Sequence, residues 1–416
     1  MLAKDILIIG LIWPEPTSSA AGTRMVQLIK LLLANAYQIT FACAASKSEF
    51  SYNLKQIGVN EQIIKLNDQS FNEFVKNLNP KIVVYDRFIT EEQFGWQVQQ
   101  ECPDAFTILD TEDLHFLRRA RQKAVKNALK FNQEDLFNDD AKREIASILR
   151  CDLSLIISEE EINILQKQFR IDSSILYYLP FLEEEIMQTN DWLSFEERSD
   201  FIFIGNFLHE PNWQTVLRLK TKIWPLLSEK LPQTKLHIFG AYLNQKVLQL
   251  HQPKEKFHII GRAENAKKTI SKHRVLLAPI LFGAGVKGKF IDAMHVGTPS
   301  ATTTIGAEAM QGNLEWNGVI EDDVELFISK TVELYQNKNL WLKAQQNGKK
   351  IINERYSKNK FGQSFIQQIE MLVVNIKAHR QQNFIGQLLH YHSLKSTKYM
   401  SLWIEEKNKP LTPKGE

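Results

Sequence analysis

The feature that most constrains the fold of this chain is an alternation of short apolar runs with longer amphipathic segments. The apolar runs are rich in β-forming residues and bounded by turn residues, a pattern typical of strands buried in a parallel sheet. Strands that alternate with helices predict an α/β fold in which helices cover both faces of the sheet. In the first half, the predicted strands are Asp5–Gly10, Gln38–Cys43, Gln62–Leu66, Lys81–Asp86, Ala105–Asp110 and Leu153–Ser158, and the predicted helices are Met25–Ala34, Phe71–Leu78 and a long charged stretch from about Leu114 to Leu149.

The alternation is interrupted once and then begins again. Residues 180–199 (PFLEEEIMQTNDWLSFEERS) are acidic and have no strand pattern, so we predict an interdomain linker there. From about Val324 the pattern is helical to near residue 380, and the last stretch, ending NKPLTPKGE, is polar. The predicted strands of the second half are Asp200–Gly205, Lys235–Gly240, Phe257–Gly261, Arg274–Ile280, Ser300–Thr304 and Gly318–Ile320.

These patterns predict two Rossmann-like, doubly wound domains in series. A chain of 416 residues is too long for one ordinary core and fits two domains of roughly 200 residues each. Two such domains form a ligand cleft between the carboxyl ends of their strands. We predict a first domain over 1–180, a linker over 181–199, a second domain over 200–355, and C-terminal helices with a polar tail over 356–416.

Composition argues against several classes of function. The net charge is +3, from 51 basic and 48 acidic residues, which does not suggest nucleic-acid binding. Cys43, Cys102 and Cys151 are far apart and include no CxxC pair, which indicates a reducing compartment and argues against a disulfide framework or a zinc site. No apolar stretch approaches the ~18–20 residues of a membrane-spanning helix. The opening MLAKDILIIG is too short an apolar run for a signal peptide, so we expect a cytoplasmic protein.

Residues 281–299 form the strongest candidate for a binding site. The run is LFGAGVKGKFIDAMHVGTP, and it has three glycines before a helical pattern begins. Glycines let the backbone approach a ligand, free N–H groups at a helix start attract phosphate, and lysines add positive charge. Gly297 followed by Pro299 is expected to end the helix. We therefore predict a diphosphate site that includes Gly283 and Gly285.

Helical geometry distinguishes the two lysines of this run. Phe290 and Met294 share one face, which is expected to pack on the sheet, whereas Lys289 and Asp292 share another. A helical Lys287 would point into the core, where an unpaired lysine is very costly, so we expect it in the loop before the first turn. Lys289 is then the phosphate ligand on the helix, and Asp292 reaches a ribose hydroxyl. The alternative is an exposed loop with a Lys289–Asp292 surface pair.

The segment from Ala278 to Met310, which contains PILFGAGVKGKFIDAMHVGTPSATTTIGAEAM, resembles the donor-binding core of the glycosyltransferase group 1 family. Upstream, Phe201–Asn206 (FIFIGN) and His209–Asn212 (HEPN) resemble the first strand and turn of that family's C-terminal domain. This likeness assigns Gly205 and Asn206 to donor binding.

The resemblance implies a GT-B fold, in which the first domain lies on the acceptor side and the second binds a nucleotide sugar. It also implies retention of configuration and catalysis without a metal or a cofactor, the nucleotide sugar being the donor substrate. The main task is then to stabilise the negative charge of the leaving nucleoside diphosphate. Loop N–H groups, Lys287 and Lys289 are the candidates for this, with Lys289 predicted as catalytic.

The sequence departs from the family pattern at one carboxylate. Members commonly have two glutamates eight positions apart, of which the first is near the donor sugar and the second on the ribose. Asp292 occupies the second position, and Ala284 stands at the first. Sugar positioning must then come from elsewhere, and Glu308 is the candidate.

Two loops of the first half are further candidates. Gly22 and Arg24 follow the first predicted strand where a helix begins, on the cleft side, and the alternative is a helix turn with a surface arginine. His115 follows the strand that ends at Asp110 and is predicted as catalytic, because a histidine of the N-terminal domain approaches the donor sugar in similar enzymes. The alternative is a helix start whose acids complement the helix dipole. A rival reading takes Asp110 and Glu112 as the metal-binding motif of single-domain transferases.

The sequence therefore predicts a glycosyltransferase that moves a sugar from a nucleoside-diphosphate donor to a glycan or lipid-linked acceptor in polysaccharide or glycoconjugate assembly. A non-catalytic sugar-nucleotide-binding protein, favoured by Ala284, and a sugar-nucleotide epimerase are the alternatives. Peripheral contact with the inner face of a membrane stays open, because basic runs at Arg118–Arg121 and Lys395–Lys398 occur, the second beside Tyr391, Tyr399 and Trp403.

Overall fold

Two parallel sheets, one from each half of the chain, form the framework of this protein. The computed structural model describes residues 4–408, apart from the side chains of 393 and 394. The polar tail predicted at the C-terminus lies outside the described residues from 409 onward. The first sheet contains seven strands in the order β3-β2-β1-β4-β5-β6-β7. Its strands are β1 (Asp5–Gly10), β2 (Gln38–Cys43), β3 (Asn60–Ile63), β4 (Ile82–Asp86), β5 (Phe106–Asp110), β6 (Leu153–Ile156) and β7 (Leu176–Tyr178).

The second sheet contains six strands in the order β10-β9-β8-β11-β12-β13. All its named strand pairs are parallel, as they are in the first sheet. Its strands are β8 (Ser199–Ile204), β9 (Leu236–Phe239), β10 (Phe257–Gly261), β11 (His273–Ala278), β12 (Ser300–Thr302) and β13 (Gly318–Ile320).

Helices follow most strands in both halves, whereas β2 is joined to β3 through a short 3-10 helix at Leu54–Ile57. In the first half they are α1 (Ala20–Ala34), α2 (Ser70–Leu78), α3 (Arg87–Glu101), α4 (His115–Lys126), α5 (Asp139–Arg150) and α6 (Glu159–Gln168). In the second half they are α7 (Glu210–Arg218), α8 (Trp224–Lys230), α9 (Gln245–Leu248), α10 (Ala266–Ile270), α11 (Gly288–His295), α12 (Thr304–Ala307), α13 (Val324–Gln336) and α14 (Lys338–Arg355). The chain continues with α15 (Lys358–Val374), α16 (Ile376–Gln382) and α17 (Phe384–Asn408).

Each sheet carries apolar side chains on both faces. In β1, Ile6 and Ile8 belong to one buried cluster of the first domain, and Leu7 and Ile9 belong to another. Successive strand residues point to opposite faces, so these two clusters are the cores above and below the first sheet. This confirms the α/β fold class with helices on both faces.

The last helices return to the first domain. Phe365, Ile366 and Ile369 of α15 are buried in the same cluster as Ile6 and Ile8. Gly362 allows this packing, because a Cβ there would lie 2.8 Å from Cδ1 of Leu31. The first domain is therefore completed by residues from the far end of the chain.

Several elements differ from the sequence-based prediction. The single long helix expected from about Leu114 to Leu149 was wrong, since α4 and α5 are separate. Ala128 interrupts it with a left-handed φ of 54°, and the Asn138 side chain starts α5 by accepting the N–H of Ala141 at 3.0 Å. The helix α3 and the three-residue strand β7 were not predicted. The limits of the predicted domains stay predictions, although the strands of each sheet fall within one predicted domain apart from Ser199 of β8, which lies in the predicted linker.

No helix among residues 4–408 is long and apolar enough to cross a membrane.

Candidate functional site

The carboxyl ends of the two sheets meet at one interdomain cleft. In each sheet the strand order reverses next to the first strand, between β1 and β4 and between β8 and β11. Doubly wound sheets bind ligands at such a switch point. The two switch points are close together, since a Cβ on Gly288 would lie 2.8 Å from Cβ of Ala20, and one on Gly285 would lie 2.9 Å from Cβ of Asp113.

The glycine loop, residues 279–287, connects β11 to the N-terminus of α11. Lys287 is the residue immediately before α11, as its expected place in the loop requires. Phe290 and Met294 are buried in the core of the second domain. Gly297 follows the end of the helix with a left-handed φ of 66°, which confirms the helix end predicted there.

Lys289 lies inside the cleft, held by the second domain. Its Nζ donates to Oδ1 of Asn212 at 2.6 Å and lies 4.3 Å above the ring of Phe203. Burial lowers the pKa of Lys289 to about 7, because a charged ammonium loses hydration there. The amide of Asn212 in turn donates to the carbonyl of Asn206 at 2.8 Å. Gly205 leaves room for this amide, since a Cβ there would lie 2.7 Å from Cγ of Asn212.

The glycine loop is also held by the first domain, through Glu161 of α6. Oε1 of Glu161 accepts the N–H of Gly285 at 2.8 Å and the N–H of Leu114 at 3.0 Å. Its Oε2 is buried and has no hydrogen-bond partner among the described residues. Burial, reinforced by the charge of Asp113, raises the pKa of Glu161 to about 7. In this conformation the Gly285 N–H is thus satisfied within the protein, while Nζ of Lys287 donates to the Gly285 carbonyl at 2.9 Å.

Glu308 is paired across the same interface. Its two carboxylate oxygens accept from Nη1 and Nη2 of Arg121, both at 2.7 Å, and Nη1 also donates to the carbonyl of Gly283 at 2.8 Å. Burial by itself would raise the pKa of Glu308, but the hydrogen bonds from Arg121 and the charge of Lys287 outweigh it, so the pKa is lowered. Glu308 is therefore an ionised clamp between the domains.

Asp292 lies farther along α11, beside different neighbours from those of Lys289. Its carboxylate is 3.9 Å from Nζ of Lys267, and 31% of its side chain is exposed. Burial raises the pKa of Asp292 above its ordinary value, while Lys267 opposes the shift and Glu183 adds to it. The structure thus places Asp292 on the rim of the cleft with an accessible carboxylate.

His115 is the first residue of α4 and is buried. Its Nε2 lies 3.4 Å from Oδ1 of Asp113, and its Nδ1 has no hydrogen-bond partner among the described residues. Burial lowers the pKa of His115 to about 4, although Asp113 opposes the shift, so the imidazole is neutral near pH 7. Asp113 also forms an ion pair with Arg118.

Arg24 is a buried side chain with its N–H groups engaged. Its Nε and Nη2 donate to Oδ1 of Asp110 at 3.2 and 3.0 Å, and its Nη1 donates to the carbonyl oxygens of Leu179 and Pro180 at 2.7 and 3.2 Å. The surface arginine of the alternative reading was therefore wrong. This geometry holds α1 against the end of β5 and the segment after β7. Donor contact by Arg24 stays a prediction.

Gly22 permits a close approach of the loop before α1. A Cβ at Gly22 would lie 2.4 Å from the carbonyl carbon of Glu15. The Gly22 N–H donates to Oγ of Ser19 at 3.0 Å, so the Ser19 side chain caps the start of α1. Glu15 is in turn bonded to the second domain, because Oη of Tyr242 donates to its two carboxylate oxygens at 2.9 and 2.8 Å.

The structure places Asp110 and Glu112, which the rival interpretation takes as metal ligands, in surroundings that differ from a metal site. Asp110 is ion-paired with Arg24, and burial raises the pKa of Glu112 to about 8. Within residues 4–408, no group of three or more His, Cys, Asp or Glu side chains is placed to hold a metal ion.

The structure thus brings the predicted residues of both halves to one cleft, and it adds four residues that the sequence did not single out as partners. Those residues are Asp113, Arg121, Glu161 and Asn212. Glu161 follows the end of β6, so the strand-end rule could have indicated it. Arg121 belongs to a basic run for which contact with a membrane was left open. The three arginines of this run form ion pairs with Asp113, Asp140 and Glu308.

The part of the chain that carries the glycine loop matches a known family. The model for "Glycosyl transferases group 1" matches residues 198–337. The second domain belongs to the glycosyltransferase group 1 family. The glycine loop, α11 and Glu308 of this group 1 domain all lie within the matched residues.

One curated protein is similar in sequence to part of this chain. The chain is 24% identical over 240 residues to an uncharacterized 44.6 kDa protein in the cps region of Klebsiella pneumoniae, an alignment that covers 56% of this chain and 57% of that relative. The chain thus spans little more than half the length of this relative.

Solved structures of low sequence identity show the fold. Sucrose-phosphate synthase from Thermosynechococcus elongatus has a TM-score of 0.66 at 13% identity, covering 89% of this chain and 100% of that one. HepE from Anabaena, in complex with UDP and glucose, has a TM-score of 0.65 at 11% identity, covering 88% of this chain and 99% of that one. The protein therefore has the GT-B fold.

Proposed function

We propose that this protein is a glycosyltransferase that binds a nucleoside-diphosphate sugar in the interdomain cleft and transfers the sugar to a glycan or lipid-linked acceptor. The observation that carries the proposal is the group 1 glycine loop, with Lys287 and Lys289 at the N-terminus of α11, placed at the switch point of the second sheet. Backbone N–H groups at a helix start and two lysines suit an anionic diphosphate.

Lys289 supplies the charge that the reaction needs. Its ammonium is desolvated in the free protein, so a diphosphate placed beside it would favour the charged form. Negative charge on the leaving nucleoside diphosphate grows during transfer, and a preorganised cation stabilises that charge more in the transition state than in the ground state. The proposed reaction therefore runs on electrostatic stabilisation without a metal or a cofactor.

Asp292 and the first domain complete the proposed donor site. The accessible carboxylate of Asp292 on the cleft rim is suited to accept a hydrogen bond from a ribose hydroxyl. His115, neutral near pH 7, is suited to donate or accept a hydrogen bond at the donor sugar. We further propose that the sugar is transferred with retention of configuration, on the family likeness described for the second domain.

The relatives suggest which donor to test first and which cellular process the protein serves. HepE was solved with UDP and glucose, which makes a uridine nucleotide the first donor to test. The Klebsiella relative lies in a cps region, which favours a role in surface-polysaccharide assembly. We propose that the protein acts in the cytoplasm and contacts the membrane peripherally.

The interdomain contacts indicate how the site excludes water. Glu161, Arg121 and Tyr242 each bond across the cleft, and these contacts must open for a donor to enter. When the Arg121 and Tyr242 contacts re-form around a bound donor, water is kept from the sugar. We expect slow hydrolysis of the donor when no acceptor is present.

A thermal-shift screen against nucleoside diphosphates and their sugars tests this function. A ligand that binds the folded state raises its stability by about 2.7 kcal/mol at a hundred times its Kd, so a selective shift identifies the donor. Lys289→Met keeps the packing of the side chain and removes the charge, so it is expected to abolish the shift. The absence of a shift with every nucleoside diphosphate would refute the proposal.

Product analysis with the identified donor separates the three activities. Transfer to an acceptor supports the proposed enzyme. A changed sugar without an acceptor would indicate an epimerase. Binding without turnover by any donor and acceptor would favour the non-catalytic reading, which the alanine at position 284 motivates.

A further inference from the structure

The C-terminal helix α17 packs on the first domain with its small and polar side. It lies along α3 and α5. Gly386 allows the contact, since a Cβ there would lie 2.1 Å from the carbonyl oxygen of Leu149. One turn later, Nε2 of His390 donates to the carbonyl of Arg150 at 2.7 Å. Ser401, fifteen positions after Gly386, is buried on the same side.

The opposite side of α17 is apolar and faces outward. Its exposed residues recur at intervals of three or four positions, or multiples of these, which places them on one helix face. They are 41–66% exposed. A surface helix of a globular domain normally directs such a face to the core. In α17 this apolar face points to the solvent instead. The face consists of Phe384, Leu388, Tyr391, Tyr399 and Trp403, flanked by Ile385 and Met400.

Two lysines accompany this face. Lys395 lies between Tyr391 and Tyr399 in the sequence, and its Nζ is 3.9 Å from the centre of the Tyr391 ring. Nζ of Lys398 donates to Oε1 of Gln100 at 2.7 Å. Among the described residues, no carboxylate forms an ion pair with either lysine. Both lysines line a cavity of about 520 Å³ between α17 and the helices beneath it.

We propose that this face of α17 binds an anionic lipid surface, with the apolar and aromatic side chains in the interface and lipid phosphates at Lys395 and Lys398. Helices that lie on membranes combine aromatic and aliphatic residues on one face with lysines beside it. Tyrosine and tryptophan are enriched at the level of the headgroups. The acidic residues of α17, Glu405 and Glu406, lie at its C-terminal end, seven or more positions after Lys398. Glu406, three positions after Trp403, marks the end of the apolar face.

A second copy of the chain fits this face less well. A two-fold dimer brings the same patch of each copy together. Lys395 is near the middle of the patch, which runs from Phe384 to Trp403, so in a dimer centred on the patch it would be desolvated near its own counterpart. Like charges at short distance are unfavourable, whereas a lipid phosphate supplies the missing anion. The proposal deepens the lipid-linked part of the proposed function, since it would bring the protein to the surface that holds such an acceptor.

Vesicle binding by the full-length protein tests the proposal. Vesicles that contain phosphatidylglycerol are compared by co-sedimentation with vesicles of phosphatidylcholine alone. We expect binding to the anionic vesicles that weakens as salt is added, because salt screens the lysine charges. The double variant Tyr399→Ser with Trp403→Ser is expected to bind the anionic vesicles at least tenfold more weakly. The double variant Lys395→Gln with Lys398→Gln is expected to lose the salt-sensitive part of the vesicle binding.

Met187→Ser is the matched control, because Met187 is an exposed apolar side chain on another surface. It is expected to bind vesicles like the wild-type protein. Equal binding by the wild type and both double variants would overturn the proposal, as would a wild-type dimer that the Tyr399/Trp403 variant converts to a monomer.

Thermal shifts with a nucleoside diphosphate separate this proposal from the proposed function. Both double variants are expected to keep the shift, because α17 packs mainly on α3, α5 and α16 rather than on α6 or α11, which border the glycine loop. If the protein binds anionic vesicles but no nucleotide, the proposed lipid-binding face of α17 would be supported and the proposed glycosyltransferase function would be refuted. The reverse result would refute the lipid surface alone.

Discussion

Oε1 of Glu161 lies 2.8 Å from the backbone nitrogen of Gly285, so a carboxylate of the first domain holds the glycine loop of the second. The same oxygen accepts the N–H of Leu114, next to His115. One side chain thus connects the loop proposed to bind the donor phosphates with the loop proposed to approach the sugar. A donor whose phosphates take the Gly285 N–H must displace this carboxylate.

Glu161→Gln is expected to make folding stability less dependent on pH. A carboxyl group whose pKa is raised from 4.5 to about 7 on folding destabilises the folded state increasingly as pH rises between those values. The variant has no titrating carboxyl group at this position. As pH rises across that window, its free energy of unfolding is therefore expected to increase relative to that of the wild type, by at most about 3 kcal/mol. Urea unfolding below and above the window measures the difference.

Glu160→Gln is the control for that experiment, since Glu160 is the exposed neighbour of Glu161 on α6. It is expected to leave the pH dependence unchanged. A constant difference between the Glu161 variant and the wild type at all pH values would contradict the raised pKa.

Donor affinity is expected to fall as pH rises above neutrality. The pKa of free Lys289 is about 7, and a bound diphosphate favours its charged form, so binding takes up a proton above that pH. The Kd for uridine diphosphate is then expected to rise about tenfold per pH unit. Calorimetric titrations on both sides of pH 7 measure this, and Lys289→Met is expected to bind weakly with a flat profile. A wild-type Kd that is constant above pH 7 would rule out the proton uptake, and the exposed Lys268→Met serves as a control.

Gly285→Ala is expected to reduce transfer at least tenfold. Alanine there would have to adopt a φ of +58° and place its Cβ 2.9 Å from Cβ of Asp113, so the domains could not close over the loop. Gly58→Ala separates the two effects, because Gly58 has a φ of +83° and open space around the added Cβ. That control is expected to cost about 1–2 kcal/mol of stability and to keep full activity. Equal activity of the two variants would show that closure does not need the glycine.

Arg121 and Glu308 are expected to be energetically coupled. Removing one partner leaves a largely buried charge without its bidentate ion pair, which costs about 3–5 kcal/mol when fully buried and less here, because the two side chains retain 10% and 19% exposure. Arg121→Leu and Glu308→Leu are each expected to lower the unfolding midpoint, and the double variant is expected to lose less than their sum. A double-mutant cycle of thermal unfolding measures the coupling, and strict additivity would contradict a clamp between the domains.

The local parts of the fold could be predicted from sequence because they depend on local patterns. The runs at Asp5–Gly10 and Gln38–Cys43 are strands with the predicted bounds, since a strand buried on both faces is an uninterrupted apolar run. The helix α3 was missed because it buries Glu91 and Gln97 beside its apolar residues, which obscures the helical periodicity. Burial of Glu91 depends on its ion pair with Arg150, 59 positions later.

The candidate site could be predicted as a set of loops but not as a set of contacts. Strand-end loops converge in a doubly wound fold, and this placed Lys289 and His115 at the cleft. The partners Asn212 and Glu161 are 77 and 124 positions from the residues they bond. No local pattern records such pairs, because they arise from how the two domains pack.

The return of α15 to the first sheet has a consequence for how the protein is made. Phe365 and Ile369 complete a core that begins with Ile6. When only the first half of the chain has left the ribosome, the apolar side chains that α15 later covers are therefore still exposed. The first domain must wait for nearly the whole chain before its final helix arrives. The second domain, whose strands and first seven helices lie within residues 199–336, depends less on distant sequence. We therefore expect the amino-terminal half, synthesised first, to acquire its native structure last.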